Sequence, residues 1–248
     1  MATNWFRTGV ISEEEAKTAF SPGGGSKSRR PMRDNRFWLP HGEKSEVLFL
    51  DGNDDGFRIF EHDFEINGRF GNTLTCTEGF YPGICALCEL AKRRGKKGSR
   101  SSVSFFSILQ IHDPSGGTTG EHNKPWTDAD GHVHLFSRRL LPAKRETLTK
   151  IKMIREQSGG SMTGTKCVAM RSRPMPGDKQ SKIPRVGDLW QPMGKVDLTV
   201  YTQKDGKPVT SFDYQEILKP KTPEEIKKFV EDMDRGAAQA EDAREVPY

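Results

Sequence analysis

The feature that most constrains this chain is a set of one histidine and three cysteines within 27 residues. His62, Cys76, Cys85 and Cys88 have the spacing H-x13-C-x8-C-x2-C and include three of the four cysteines. A two-residue gap lets the sulfurs of Cys85 and Cys88 point at one ion, and three thiolates with one imidazole suit the tetrahedral zinc ion. Four protein ligands leave no open coordination position. The spacing therefore predicts a structural zinc site.

Two other interpretations of these cysteines remain open. A redox-active Cys-x-x-Cys pair would need neither Cys76 nor His62, and a disulfide would need an oxidising compartment. Residues Met1–Phe6 are followed by polar and acidic residues rather than by an apolar run, so we expect no secretory signal peptide. No segment approaches the roughly 18 apolar residues of a membrane-spanning helix, so we expect no membrane partner.

Charge is unevenly distributed along the chain. The formal net charge is +5, but residues 222–248 contain eight acidic and four basic residues, a net of −4, and residues 1–221 therefore carry +9. Only 33% of the residues are hydrophobic and 29% are charged, which indicates one modest core with substantial loops. A basic body with an acidic end implies an anionic partner, and nucleic acid is the leading candidate.

The two ends of the chain differ from its middle. Residues 1–35 are basic and rich in glycine and serine, and they predict a flexible N-terminal arm. Residues 219–248 predict an acidic C-terminal helix and tail, in which Thr222 and Glu225 have the spacing of a capping box. The apolar residues of that helix recur at helical spacing and should pack on the rest of the protein. They are Ile226, Phe229, Val230 and Met233.

A β-hairpin is predicted around the first two metal ligands. Phe57–Phe64 alternates apolar and polar residues, an Asn-Gly pair follows as a type I′ turn signal, and Arg69–Cys76 returns as the partner strand. His62 and Cys76 then lie on neighbouring strands, which favours His62 as the fourth ligand. The alternatives to it are His41, His112 and His122.

Short strands dominate the remaining pattern. Helices are predicted from Cys85 to about Arg94 and over roughly Ala143–Gln157, and Cys167 is expected to be a buried strand residue. Because strands outnumber helices and no βαβ crossover is visible, the predicted fold is mainly β. Its leading form is an OB-fold-like five-stranded barrel over residues 36–218, with helical insertions and a zinc subdomain at about 57–100. Further strands are predicted at 45–50, 102–111, 132–136, 164–171, 196–202 and 211–217.

Basic and aromatic residues of this core predict a nucleic-acid-binding surface. Lysine and arginine neutralise phosphates, and exposed rings stack bases at about 1–3 kcal/mol each. Phe105 and Phe106 are adjacent on a strand, so one of them should face outward, and Trp126 lies in a loop. The predicted DNA-binding residues are Arg69, Arg93, Arg94, Lys96, Lys97, Arg100, Phe105, Phe106, Trp126, Arg138, Arg139, Lys144, Arg145, Arg171, Arg173, Lys182 and Arg185.

The order of the four ligands in a barrel-like chain resembles the zinc-containing single-stranded DNA-binding proteins of T-even-type bacteriophages, which are helix-destabilising replication proteins. The segments Arg36–Pro40, Val47–Asp51, Glu61–His62 and Cys85–Glu89 are similar to segments of related small phage-encoded DNA-binding proteins. The resemblance covers about residues 36–218, and the gaps between the ligands differ slightly from the T-even pattern.

This resemblance implies an OB-fold core, a structural Zn²⁺ and sequence-nonspecific binding of single-stranded DNA in phage DNA replication, recombination or repair. It further implies self-association through the basic N-terminal arm and contacts between the acidic tail and replication proteins. We accordingly expect no catalytic activity, and a cytoplasmic location, in the bacterial host if the chain is phage-encoded.

Two rival functions remain open from the sequence. His132 and His134 alternate after Asp128 and Asp130, a pattern that could ligate a catalytic metal in a nuclease. The second rival is a zinc-stabilised adaptor or duplex-DNA-binding protein, although no recognition-helix motif is evident.

Overall fold

The computed structural model describes residues 35–53, 56–66, 69–78, 80–81, 83–95, 98–113, 125–127, 131–174, 183–203 and 205–242. At 66, 69–72, 126 and 236–242 it describes the backbone alone. The chain divides into two compact units. The described part of the first unit comprises residues 59–103 and 213–242, and that of the second comprises 35–58 and 104–212.

Nine strands and four helices are described. The strands are β1 (Lys44–Phe49), β2 (Phe57–Ile66), β3 (Arg69–Thr75), β4 (Gly98–Ile111), β5 (Trp126–Thr127), β6 (Val133–His134), β7 (Phe136–Ala143), β8 (Thr165–Met170) and β9 (Leu189–Lys195). The helices are α1 (Ala86–Arg94), α2 (Arg145–Gln157), α3 (Tyr214–Ile217) and α4 (Pro223–Asp242), with a 3-10 turn at Leu198–Val200.

Seven of these strands form one antiparallel sheet. Its order is β3-β2-β4-β1-β8-β9, with β7 also paired to β4, while β5 and β6 form a separate two-stranded ribbon. The prediction of a mainly β protein is confirmed. The pairings of the described strands leave β3 and β9 as edges of an open sheet, so the closed OB-type barrel is not confirmed and stays a prediction.

The second unit has its own aromatic core. Phe49 packs edge-on against Phe106 at 6.1 Å between ring centroids and lies 6.2 Å from Trp190. Helix α2 covers this core with Ile151 and Ile154, in agreement with the helix predicted there. Buried strand residues complete the cluster, and Cys167 of β8 is one of them, as predicted. Burial raises the pKa of its thiol to about 12.

The first unit combines the β2–β3 hairpin with helices α1 and α4. Both strands were predicted, and the turn expected between them lies outside the described residues. The capping box at the start of α4 is confirmed. The Thr222 N–H donates to the Glu225 carboxylate at 2.8 Å, and the Glu225 N–H donates to the Thr222 hydroxyl at 3.3 Å. The expected apolar face of α4 is buried at Ile226, Phe229 and Met233.

Two strand predictions in the last third of the chain are wrong. Residues 196–202 contain a 3-10 turn, because the Asp197 carboxylate accepts a hydrogen bond from the Thr199 N–H and starts a helical turn. Residues 211–217 end in α3, where Asp213 caps the helix in the same way through two N–H groups. These side-chain acceptors offset the β propensity of the apolar residues around them.

Strand β9 was not predicted. Its sequence contains Pro192 and Gly194, which argue against a central strand. It lies at the sheet edge, where a proline without an N–H is tolerated, and the register of β8 shifts opposite this part of β9. Within the described part of the chain, no helix has the length and apolarity needed to cross a membrane.

Candidate metal centre

The four predicted ligands are positioned by two local structures of the first unit, the β2–β3 hairpin and the start of α1. His62 lies on β2, and Cys76 directly follows β3, where its N–H donates to the carbonyl of Phe60 at 2.8 Å. Cys85 is the residue before the first turn of α1, and Cys88 lies in that turn with its N–H 2.8 Å from the Cys85 carbonyl. The hairpin and the helix start therefore bring two ligands each.

The ligand atoms converge on one point. The His62 Nε2 lies 3.4 Å from the Cys88 sulfur and 3.9 Å from the Cys85 sulfur, and the sulfurs of Cys76 and Cys88 are 3.7 Å apart. All four atoms lie within 4.8 Å of one another. Zinc bonds of about 2.3 Å to sulfur and about 2.0 Å to nitrogen would separate tetrahedral neighbours by about 3.5–3.8 Å. The cluster therefore has the dimensions of a tetrahedral metal site.

The alternative fourth ligands lie elsewhere. The Nδ1 of His41 is 3.0 Å from the Ser172 carbonyl, and the Nε2 of His112 is 2.7 Å from the Ser137 hydroxyl. His122 lies outside the described residues. The structure thus groups His62, and neither of those two histidines, with the cysteines.

Burial and mutual contact shift the pKa values of the three cysteines in the cluster. His62, Cys76 and Cys85 are almost completely buried, and the cysteines are free thiols. The hydrogen bond shared with Cys85 and then burial raise the pKa of Cys76, while the same hydrogen bond lowers that of Cys85. Burial, followed by the nearby Cys85 charge, raises the pKa of Cys88. Without a metal, the Cys76 and Cys88 thiols are therefore protonated; a bound cation would stabilise all three sulfurs as thiolates and release their protons.

The edge of the cluster carries an arginine and an exposed ring. The Arg100 guanidinium lies 4.1 Å from the centroid of the Phe60 ring, and it forms a 2.5 Å ion pair with Glu78. Phe60 is 38% exposed, and the Glu78 carboxylate is 3.9 Å from the Cys88 sulfur. A cation over a half-open aromatic face, beside the metal ligands, offers both a phosphate contact and a stacking surface.

The predicted DNA-binding residues fall into four groups in the structure. Arg93, Arg100, Lys144, Arg145, Arg173 and Arg185 are exposed, and Arg94, Arg138 and Arg139 are partly buried. Phe105, Phe106 and Arg171 are buried. The side chains of Arg69 and Trp126 and the whole of Lys96, Lys97 and Lys182 lie outside the described residues.

The prediction that one ring of the Phe105–Phe106 pair faces outward is wrong. Both rings are 0% exposed, because the two faces of β4 are covered at this position. Phe106 packs in the aromatic core, and Phe105 lies 5.1 Å below the guanidinium of Arg36. Neither ring therefore presents a face to a nucleic acid base in this structure.

Arg171 is also placed differently from the expectation of a surface phosphate contact. Its guanidinium donates to the carbonyls of Leu39 at 2.9 Å and Ile183 at 3.4 Å, and only 8% of the residue is exposed. Burial, and then the charge of Arg185, lowers its pKa. Its contacts are those of a structural residue.

Two exposed aromatic rings are absent from the predicted set of DNA-binding residues. Phe60 lies on strand β2 but is not among the residues predicted to contact DNA. Trp38 is 44% exposed between the buried residues Phe37 and Leu39. Phe37–Leu39 lies outside the strands, but an extended chain also points successive side chains in opposite directions, which places Trp38 opposite its two buried neighbours. This two-residue alternation is the sequence signal that could have identified Trp38 as exposed.

One histidine of the rival nuclease site, His134, lies on the β5–β6 ribbon, and His132 directly precedes β6. His134 pairs with Trp126 in that ribbon and is half-buried, whereas His132 is exposed. Asp128 and Asp130 lie outside the described residues. Within the described ranges, the His/Cys cluster is the one grouping of three or more ligand side chains of metal-binding type. No family model matches the chain, and no curated protein sequence matches it.

Proposed function

We propose that this protein binds single-stranded DNA without sequence preference, and that a Zn²⁺ ion at the His/Cys cluster stabilises the binding unit. It would act in DNA replication, recombination or repair without catalysing a reaction. The observation that carries this proposal is the Arg100–Phe60 pair at the edge of the metal cluster. An exposed ring joined to a cation provides stacking and phosphate neutralisation, the two interactions used in sequence-independent recognition of single strands.

The donor set supports zinc as the metal. Three thiolates and one imidazole are soft to borderline ligands, and four protein ligands describe a closed structural site. When bound, the ion would join the β2–β3 hairpin to the start of α1 and neutralise the three thiolates. This would fix the position of Arg100 and Phe60 relative to the exposed basic residues Lys92 and Arg93 of α1.

Charge on the surface of the first unit suits an anionic strand. Lys92, Arg93 and Arg94 form the last turn of α1, and the Arg100 guanidinium follows shortly after in the chain. A base would stack on Phe60 while its phosphate displaces Glu78 from Arg100. Because the duplex hides its base faces, binding would draw melted DNA into the single-stranded state by mass action.

The remaining parts of the proposal come from the sequence. An OB-type arrangement is compatible with a sheet in which the long strand β4 pairs with β2, β1 and β7. Self-association through the basic arm concerns residues of which nearly all lie outside the described part of the chain. Recruitment of replication proteins by the acidic tail likewise stays a prediction.

The proposal is tested by the binding of fluorescently labelled oligo(dT) and of a matched duplex to the zinc-loaded full chain. Phe60→Ala should weaken single-strand binding by about 5- to 150-fold, equivalent to the loss of one base stack of about 1–3 kcal/mol. Ile84→Ala, which shortens another exposed apolar side chain of the first unit, is the matched control and should bind like wild type. Preference for duplex, cleavage of the strand, or equal affinities of the two variants would contradict the proposal.

A further inference from the structure

We infer that metal binding at the His/Cys cluster and docking of helix α4 on the first unit are thermodynamically coupled, so that loss of the metal releases α4. This inference rests on the metal site of the proposed function and is independent of DNA binding. It assigns a second role to the cluster, because the helix that it controls contains none of the ligands.

The start of α1 depends on the metal ligands. Cys85 is the N-cap residue of α1, and it makes no side-chain capping hydrogen bond. Cys88 lies in the first turn. A helix of nine residues is marginal in isolation and needs either a cap or tertiary packing to form. A metal ion held by Cys85 and Cys88 would restrain this turn in place of a capping side chain.

Helix α4 packs on the elements that the ligands organise. Ile226, Phe229 and Met233 of α4 share one apolar cluster with Leu87 and Leu90 of α1. The ligands Cys76 and Cys85 belong to the same cluster. The surface that receives α4 therefore includes both α1 and the metal ligands.

Contacts between aromatic rings also connect the metal site to α4. The His62 imidazole stacks on the Phe64 ring with 6.0 Å between centroids and 13° between planes, and Phe64 lies 6.2 Å from Phe229 of α4. The Nδ1 of His62 is buried, and the described residues provide no hydrogen-bond partner for it. A metal bond to the Nε2 atom would thus be the main directional restraint on the ring against which Phe64 packs.

Polar contacts join α1 to the same stretch of α4. The Arg94 guanidinium donates to the main-chain carbonyl of Met233 at 3.3 Å, and Arg93 forms a 3.0 Å ion pair with Asp234. Both arginines lie in the last turn of α1, so their positions depend on α1 being formed. If α1 unwinds at its start, α4 loses its apolar and its polar partners together.

Coupling of this kind is reciprocal. If the metal strengthens docking of α4 by a given factor, docking of α4 strengthens metal binding by the same factor, typically about 5- to 150-fold. A substitution in α4, remote from the ligands in sequence, should therefore lower metal affinity.

Hydrogen exchange and metal affinity of the full chain test the inference. In the first experiment, exchange is measured on zinc-loaded protein and on protein stripped by a chelator under reducing conditions. Amides of α4 should lose protection on stripping, whereas those of β8 in the second unit should keep theirs. Equal protection of α4 in both states would overturn the inference, as would loss of protection in α4 and β8 together.

In the second experiment, zinc affinity is measured by competition with a chromophoric chelator. Phe229→Ala should weaken zinc binding by about 5- to 150-fold relative to Lys228→Ala, which alters an exposed neighbour on α4. Phe229→Leu keeps an apolar side chain without the ring and should weaken zinc binding by less than Phe229→Ala does. If Phe229→Ala does not fold, the zinc affinity of Phe229→Leu tests the coupling in its place. A wild-type chain that binds no zinc contradicts the metal site itself. Zinc binding with equal affinity in the Phe229 and Lys228 variants contradicts only the coupling.

Discussion

The Arg171 guanidinium donates a 2.9 Å hydrogen bond to the main-chain carbonyl of Leu39, a residue 132 positions earlier in the chain. The bond is buried and lies within the second unit. It joins the segment before β1 to the residue that follows β8. A basic residue that charge pattern alone places among the phosphate contacts is therefore bound to the backbone of its own protein.

Replacing Arg171 should change stability more than DNA affinity. Arg171→Ala leaves the Leu39 carbonyl buried without its partner, and we expect the free energy of unfolding to fall by about 1–3 kcal/mol. Arg173→Ala removes an exposed arginine two residues away and should leave stability within about 0.5 kcal/mol. Chemical denaturation followed by fluorescence measures both values. A stability loss in Arg173→Ala as large as that in Arg171→Ala would contradict this assignment.

Metal content should distinguish the ligand cysteines from the remaining one. Cys85→Ser removes a thiolate from the cluster, and zinc affinity should fall by more than the roughly 10- to 100-fold typical of changes around metal ligands. Cys167→Ser is the control, because Cys167 is fully buried in the core of the second unit. It should lower stability by about 1–3 kcal/mol while zinc stoichiometry stays unchanged. Metal analysis of the purified proteins, with thermal unfolding alongside, gives both quantities.

Opposite effects on DNA binding are expected from the two partners of the Arg100–Glu78 ion pair. Arg100→Gln removes one phosphate contact, so affinity for oligo(dT) should fall and the slope of log K against log salt should decrease in magnitude by about 0.7. Glu78→Gln frees the guanidinium from its carboxylate and should raise affinity at low salt. Salt titrations of the two variants, monitored by anisotropy, provide the measurement. Changes of the same sign in both variants would show that the pair has a purely structural role.

Acid sensitivity of the second unit should depend in part on Asp188. Burial acts to raise the pKa of its carboxyl group, but hydrogen bonds from Ser172, including a main-chain N–H donor at 2.7 Å, hold that pKa below its usual value. Because the folded pKa is depressed, the stabilisation is complete above the unfolded pKa of about 3.9 and is lost as pH falls through the folded pKa. Between pH 6 and pH 3, wild type should therefore lose more stability than Asp188→Asn.

The control for this pH effect is Asp205→Asn. Asp205 pairs with Lys207 at 2.7 Å on the surface. Hydrogen bonds from Lys207 lower the pKa of the Asp205 carboxyl group as well, but solvent screens this exposed pair, so Asp205→Asn should alter the acid dependence less than Asp188→Asn does. Urea unfolding at a series of pH values separates the two variants. Parallel acid profiles for wild type and Asp188→Asn would contradict the role of the Ser172–Asp188 contact.

Local signals in the sequence predicted much of the first unit. The capping box at Thr222 and Glu225 predicted the start of α4, and the alternation of Phe57–Phe64 predicted β2. Such patterns succeed because the interactions that cause them join residues close in the chain. The same reasoning failed at Asp197 and Asp213, where a short side chain captures neighbouring N–H groups and starts a helical turn in an apolar segment.

Local sequence patterns could not predict which side chains are exposed to solvent. Phe105 and Phe106 are adjacent residues of β4, whose side chains point to opposite faces of the strand, but both rings are fully buried. Arg171 is basic and polar, yet its donors satisfy distant carbonyls. Whether a ring or a guanidinium meets solvent depends on which other segments pack over it.

The sequence by itself determined the donor set of the metal centre, since one imidazole and three thiolates at this spacing specify the chemistry of the ion they can hold. Tertiary structure decided which histidine completes the donor set, which aromatic rings stay exposed to solvent and how α4 packs on the apolar cluster around the ligands. The ligand chemistry belongs to the side chains themselves, whereas convergence of β2, the end of β3 and the start of α1 depends on pairing and packing between segments far apart in the chain.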